Sequence, residues 1–319
     1  MKKKILITGI TGFVGRNLLG YLRQHGNYHI TGVSRTKAKL YNLSDPLDEA
    51  ITYDELFKNK TTHQIVIHLA GQVIKREEKK DLDSEYRSAN YQLTKKIYDH
   101  FLKDNQSGKF IFLSSIHVLT EIPEKIIDES YSPVPFTYYG RSKFDAENYI
   151  KSNQKENKHS YILRPTMIHG PGNKGNLKSL YDYLISGRPY LLGAINNKRS
   201  FLSIENLSFV IKEIIDHDIK DGLYHISDDE PTETHQLIEL ISEISGVKTR
   251  MYNIPLPLMY LFAYIGNFLP IPFDIHRYGK LTSDFIVKND KIKKAINKTL
   301  PISAEEGMKR TIESFVDCK

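Results

Sequence analysis

The sequence predicts an α/β chain: a doubly wound parallel sheet with a smaller C-terminal, substrate-binding lobe. Three observations predict it. The chain opens on a strand, a glycine-rich turn and a helix. Short buried apolar runs then alternate with segments of helical spacing, and beyond residue 170 that alternation weakens, as expected of a lobe inserted over a sheet. The expected division is 1–169 with 200–228 for the sheet domain, and 170–199 with 229–319 for the lobe.

Lys4-Ile5-Leu6-Ile7-Thr8 is aliphatic and β-branched, with lysines keeping its outer end in water. It runs into Gly9-Ile10-Thr11-Gly12-Phe13-Val14-Gly15, and helical spacing begins at Arg16. This order presents backbone N–H groups and a helix N-terminus to a diphosphate, as in the Rossmann arrangement. Dinucleotide binding is therefore assigned to Gly9, Thr11, Gly12, Phe13, Val14 and Gly15. Strand two, 29–34, ends in Ser34-Arg35, where binders of NAD usually place a carboxylate on the ribose 2′-hydroxyl. An arginine there suits a 2′-phosphate or stacks on adenine, so NAD(P) is the expected cofactor, with NADP favoured by Arg35.

The stretch 39–60 is polar; a short strand near 40–43 and a helix near 53–58 are expected. Residues 64–71 form a continuous buried parallel strand ending in Leu69, Ala70 and Gly71, small enough at its tip for a cofactor to lie against it. His68 within it is expected to be a packed strand residue. A helix over 83–103 carries Tyr86, Ala89, Leu93, Ile97 and Phe101 as its apolar stripe, and holds Asn90. The next buried strand, 109–115, ends in Ser114 and Ser115, where ligands of open parallel sheets sit. After a loop with several prolines, a helix at 138–147 would place Tyr139 and Lys143, four apart, on one face. Strands at 161–165 and 223–227 and a helix at 233–244 follow. The apolar run 254–270 is interrupted by prolines at both ends and is too short to span a membrane comfortably, so a buried or interface helix is expected, with membrane-surface attachment the lesser reading.

Composition narrows the class. The chain has 319 residues, 40% hydrophobic and 26% charged, ordinary for a soluble globular protein, and length enough for a large core. A net charge of +7 on dispersed lysines points to a basic surface able to attract an anionic substrate, rather than to a nucleic-acid groove. A single cysteine, Cys318, excludes a disulfide framework and suits a reducing compartment. Met1 and three lysines lead straight into the first strand without a signal peptide, so a cytoplasmic protein is expected. No set of metal ligands is assigned.

Taken together, Thr8-Gly9-Ile10-Thr11-Gly12-Phe13-Val14-Gly15, His68-Leu69-Ala70-Gly71, Asn90, Ser114-Ser115, Tyr139-Gly140-Arg141-Ser142-Lys143 and Leu163-Arg164-Pro165 resemble the extended short-chain dehydrogenase/reductases. Within them the likeness is to the NAD(P)-dependent nucleotide-sugar epimerases and 4-keto-reductases, over nearly the whole length. The resemblance implies that Tyr139 is the general acid/base, Lys143 its electrostatic partner on the nicotinamide ribose, and Ser115 the hydroxyl that orients the substrate oxygen. Asn90 and Ser114 are implied on the cofactor side. Dehydratases of this family carry Asp-Glu after the active-site hydroxyl, whereas Ile116-His117 stand here, which leaves a 4-epimerase or a 4-keto-sugar reductase.

The same resemblance places His117, Asn176, Arg199 and Arg277 on a UDP-linked sugar; paired arginines suit a diphosphate. The segment 277–292 is similar to the tail of bacterial enzymes that reduce UDP-4-keto-6-deoxy-N-acetylhexosamines for surface polysaccharide. That reduction is the leading expectation; a UDP-glucose or UDP-N-acetylglucosamine 4-epimerase with bound NAD is the alternative, and a non-catalytic dinucleotide sensor the reading outside enzymes. A homodimer is implied by the resemblance. Two departures stand out: Asn42-Leu43-Ser44-Asp45 replaces the usual adenine-contacting signature, and Val118-Leu119-Thr120 replaces Val-Tyr-Gly.

Overall fold

The protein is described from a computed structural model covering residues 2–58, 62–72, 81–269 and 273–317. Cys318 lies outside these residues. The first half is built of β1 (Lys3–Thr8), α1 (Phe13–His25), β2 (Tyr28–Ser34), α2 (Ala38–Tyr41), β3 (Glu49–Thr52), α3 (Tyr53–Lys58), β4 (Ile65–His68), α4 (Leu82–Tyr86), α5 (Leu93–Lys103) and β5 (Lys109–Leu113). It continues through α6 (Tyr138–Ser152), β6 (His159–Pro165), β7 (Met167–His169), α7 (Asn176–Ile185), β8 (Lys198–Arg199), β9 (Phe201–Ser203), α8 (Ile204–Asp216) and β10 (Gly222–Ile226). The chain closes with β11 (Thr232–Glu233), α9 (Thr234–Ser245), α10 (Leu256–Gly266), α11 (Ile275–Thr282), α12 (Asp290–Ile296) and α13 (Ala304–Asp317).

Seven strands pair in the order β10-β6-β5-β4-β1-β2-β3, every neighbour parallel. The chain winds outward from β1 to β3, then returns to β4 and winds the other way. The direction switches between β1 and β4, and a crevice opens there beyond the carboxyl ends of the strands. Buried aliphatic residues of β1, β4 and β5 form the core, with α1 and α8 covering one face and the aromatic side chains Tyr98, Phe101, Phe110 and Phe112 filling the other. A separate core joins α7, α9 and α13 through Leu177, Tyr181, Ile238, Ile241, Met308 and Phe315. Ile292 and Ile296 of α12 pack with the sheet-side core rather than with that lobe.

The structure departs from the sequence reading in three places. Residues 38–41 are helical, and the strand beside β2 is 49–52; Tyr53-Asp54, not Asn42–Asp45, therefore stands at its carboxyl end. Polar residues around a short strand hid it, because only Ile51 and Thr52 of its four residues favour a strand. The helix expected over 83–103 contains a π-helical segment, Arg87–Gln92, between α4 and α5. Tertiary bonding of Asn90, described below, outweighs helical regularity at this point. The run 254–270, described up to 269, holds the helix α10 but is not buried, which corrects the first of the two expectations: only Met259, Ala263 and Gly266 of α10 face the protein. The other strands and helices expected from sequence lie where expected to within a few residues, whereas α7, α8, α11, α12, α13 and the short strands β7, β8, β9 and β11 were not anticipated. Among the described residues no helix is long and apolar enough to cross a membrane.

Candidate active site

The glycine turn closes against the end of β4. Gly9 has φ +73°, a left-handed conformation, and a Cβ there would stand 2.5 Å from the Ala70 nitrogen. A Cβ on Gly15 would collide with the Ile10 backbone, so α1 starts tight against the strand. Thr8, at the tip of β1, hydrogen-bonds His68 Nδ1 at 2.6 Å, and His68 Nε2 meets Thr94 at 2.9 Å. Burial first, with help from the Lys143 charge, pushes His68 down to about 3. It is a neutral strut between β1, β4 and α5, the packed residue the sequence predicts.

Gly71 carries the contact onward. A Cβ at this position would lie 2.9 Å from Lys143 Nζ and 3.1 Å from Asn90 Oδ1. Asn90 is fully buried; its Oδ1 accepts from Gln72 N (2.8 Å), and its Nδ2 donates to Ser142 Oγ (3.0 Å) and Gln72 O (3.2 Å). The π-helical turn thus ties the loop after β4 to α6, making Asn90 a fastener of the site.

Helix α6 begins where the proline-rich loop ends: Thr137 caps it by accepting from Gly140 N at 3.0 Å. One turn in, Lys143 Nζ donates to Leu113 O at 2.9 Å and lies 4.8 Å from the Phe112 ring centre. Burial drives its pKa down to about 8, with Glu147 opposing. Tyr139, half-buried on the same face, has a phenol raised by burial and lowered by a hydrogen bond with Ser115; its ring packs 6.0 Å from Tyr86. Ser115 also accepts from His117 N at 3.2 Å. Ser115, Tyr139 and Lys143 therefore converge at the carboxyl end of β5, next to the loop after β4 that abuts the glycine turn.

Ser114 has a different environment. Its hydroxyl donates to Glu147 Oε1 at 2.5 Å, and Glu147 also accepts from Arg164 at 2.9 and 2.6 Å. Glu147 was invisible as a site residue in sequence, although its spacing of four from Lys143 was the available signal. At the carboxyl end of β2, on the same edge of the sheet, Ser34 is buried and bonded to Thr36, and Arg35 is exposed. Lys37 pairs with Glu55 at 2.6 Å, which leaves Arg35 without an ion pair among the described residues.

Beyond Ser115 lies a charged pocket wall. His117 is held down by burial, with Glu121 opposing and Lys280 and Arg199 assisting. Arg199 donates to the Lys280 carbonyl, while Glu121 bridges Lys280 (2.7 Å) and His276 (2.9 Å). Glu121 and Lys280 were not singled out from sequence; nothing local marks them, because the contact joins residues 159 positions apart. Arg277 is exposed, loosely paired with Asp274 at 3.9 Å. Asn176 opens α7 and is exposed, with no bond to this wall among the described residues.

These residues suit a dinucleotide. The cradle at Gly9 and Gly15 admits no side chain, and the buried Lys143 ammonium uses one of its three donors on Leu113. Gly9, Thr11, Gly12, Phe13, Val14 and Gly15 would hold the diphosphate, and Leu69, Ala70, Gly71, Asn90 and Lys143 the nicotinamide end.

Comparisons with known proteins bear on the family rather than on these residues. The UDP-glucose 4-epimerase of Vibrio cholerae is 29% identical over 99% of this chain and 96% of its own. The N-acetyl-alpha-D-glucosaminyl-diphospho-ditrans,octacis-undecaprenol 4-epimerase of Escherichia coli O157:H7 is 25% identical over 100% of this chain and 97% of its own. Among solved structures, UDP-glucuronic acid 4-epimerase of Bacillus cereus, in complex with UDP-glucuronic acid and NAD, superposes with a TM-score of 0.78 at 18% identity, covering 99% of this chain and 100% of that one. The profile of the NAD dependent epimerase/dehydratase family matches residues 5–226. The chain is an enzyme of the NAD dependent epimerase/dehydratase family.

Proposed function

We propose that this enzyme carries out oxidation and reduction at C4 of a sugar held through a diphosphate, in the first instance a UDP-linked hexose, and that it does so as a 4-epimerase. The observation that carries this reading is the convergence of the Ser115 and Tyr139 hydroxyls with the Lys143 ammonium at the mouth of the glycine turn. A bound nicotinamide would supply the acceptor and donor of hydride. Tyr139 would take the proton from the C4 hydroxyl and return it, and with cofactor and substrate bound the Lys143 charge would have to offset the burial that raises the phenol. Ser115 would hold the C4 oxygen, and Arg199, Lys280 and His117 would face the diphosphate.

Epimerisation is preferred over net reduction because the 4-epimerase relatives span this chain end to end. The second reading is reduction of a 4-keto-6-deoxy N-acetylhexosamine. It is favoured by the exposed Arg35, which suits the 2′-phosphate of NADPH, and by the likeness of 277–292 to such reductases. The carrier of the diphosphate is UDP in both readings; a polyprenol carrier, as in the E. coli relative, would require lipid within reach.

Incubation with UDP-glucose and UDP-N-acetylglucosamine, without added cofactor, should yield the C4 epimers. Consumption of NADPH only when a 4-keto sugar is supplied would favour the second reading instead. Tyr139→Phe should lower turnover by ~10²–10⁴-fold with cofactor affinity retained; undiminished turnover would overturn both. Arg35→Ala should weaken NADP more than NAD, measured by titration of the unloaded protein.

A further inference from the structure

We propose that α10 and its flanks form a docking surface for an anionic lipid bilayer, with the helix lying in the interface rather than crossing it. From Met251 through Phe273 the sequence holds no Asp, Glu, Lys, Arg or His. Met259, Ala263 and Gly266, spaced four and three apart, make one narrow seam against the protein, and a Cβ on Gly266 would strike the Phe273 carbonyl that leads into α11. Around that seam, Asn267 aside, the outward side chains are large and mostly apolar, among them Leu258, Leu261, Phe262 (54% exposed), Ile265, Phe268 (73%) and Leu269. Contiguous apolar surface of this kind marks an interaction site.

Several features select lipid as the occupant. Tyr252, Tyr260 and Tyr264, all exposed, bring the amphipathic rings that sit at headgroup depth. Exposed Lys248 and Arg250 precede the apolar run and exposed Arg277 follows it, opposed on the rim by Asp274. This cationic edge on a chain of net charge +7 complements an anionic leaflet. Two copies packed face to face would instead bring like charges together. At 11 residues α10 is about 16 Å long, far short of a bilayer's hydrocarbon core. Its neighbour α11 carries Lys280, so docking would hold the charged pocket wall at the lipid surface.

The full-length protein should sediment with vesicles of phosphatidylethanolamine and phosphatidylglycerol (3:1) and much less with phosphatidylcholine alone. Leu261→Asp combined with Phe262→Asp should lower partitioning at least tenfold, with an unchanged thermal melt and unchanged turnover of a water-soluble nucleotide sugar. Lys248→Glu with Arg250→Glu should lower it several-fold on the anionic vesicles only. The proposal is overturned if the wild type stays in the supernatant or if the Leu261/Phe262 variant sediments equally well. It is also overturned if the wild type is a dimer that this variant dissociates while neither binds vesicles. Vesicle binding is read without catalysis, so a chain that binds lipid but shows no C4 chemistry would defeat the proposed function and leave this inference standing.

Discussion

Glu147 grips Arg164 with two hydrogen bonds, Nε to Oε1 at 2.9 Å and Nη2 to Oε2 at 2.6 Å, and neither side chain is more than 2% exposed. The pair joins α6 to β6 behind the strand end that carries Ser114 and Ser115. Glu147 also accepts from Ser114 and lies one turn from Lys143, so one carboxylate links the scaffold to the reacting groups.

Removing one partner should be worse than removing both. Glu147→Ala leaves a buried guanidinium unpaired and is expected to lower stability by ~3–5 kcal/mol in denaturant titrations. Glu147→Leu with Arg164→Leu should recover a large part of that loss. A double variant as unstable as the sum of the singles would contradict the coupling.

Lys143 makes stability depend on alkaline pH. Its folded pKa lies at about 8, against an ordinary 10.5, because the ammonium is buried. Between these values the unfolded chain binds more protons, so wild-type stability rises with pH across that window, and the full penalty applies below it. Lys143→Met should therefore be more stable than wild type at pH 7, by up to ~3 kcal/mol, with the gap closing near pH 10.5. Turnover should fall by ~10²–10⁴-fold at the same time. Equal stabilities at pH 7 would show that the buried charge carries no such penalty.

Several histidines are held down by burial, and three of them are pushed furthest. His63, His68 and His225 are pushed down, chiefly by burial, to about 4, 3 and 3, and both ring nitrogens of His225 lack a hydrogen-bond partner among the described residues. Below their ordinary 6.5 the unfolded chain takes up protons that the folded chain refuses. Stability should thus fall as pH drops from 6.5 toward 4, by up to ~4 kcal/mol per pH unit if all three contribute. His225→Leu should remove about a third of that three-histidine contribution. Denaturation midpoints at pH 5 and 7 give the comparison, and a slope indifferent to His225 would remove it from the account.

The sequence by itself determined the α/β architecture, the glycine turn, and the run from Ser115 to Lys143. Each is a local signal: β-branched runs, glycines at 9, 12 and 15 between a strand and a helix, and a spacing of four on one helix. Tertiary structure alone decided that Ser114 turns to Glu147 rather than outward, that 87–92 winds as a π-helix around Asn90, and that Glu121 and Lys280 meet across 159 positions. It also left α10 uncovered, although its composition reads as core. The reason is common to all four: these outcomes depend on which distant atoms can satisfy a buried polar group or cover an apolar one, and no periodicity along the chain records that.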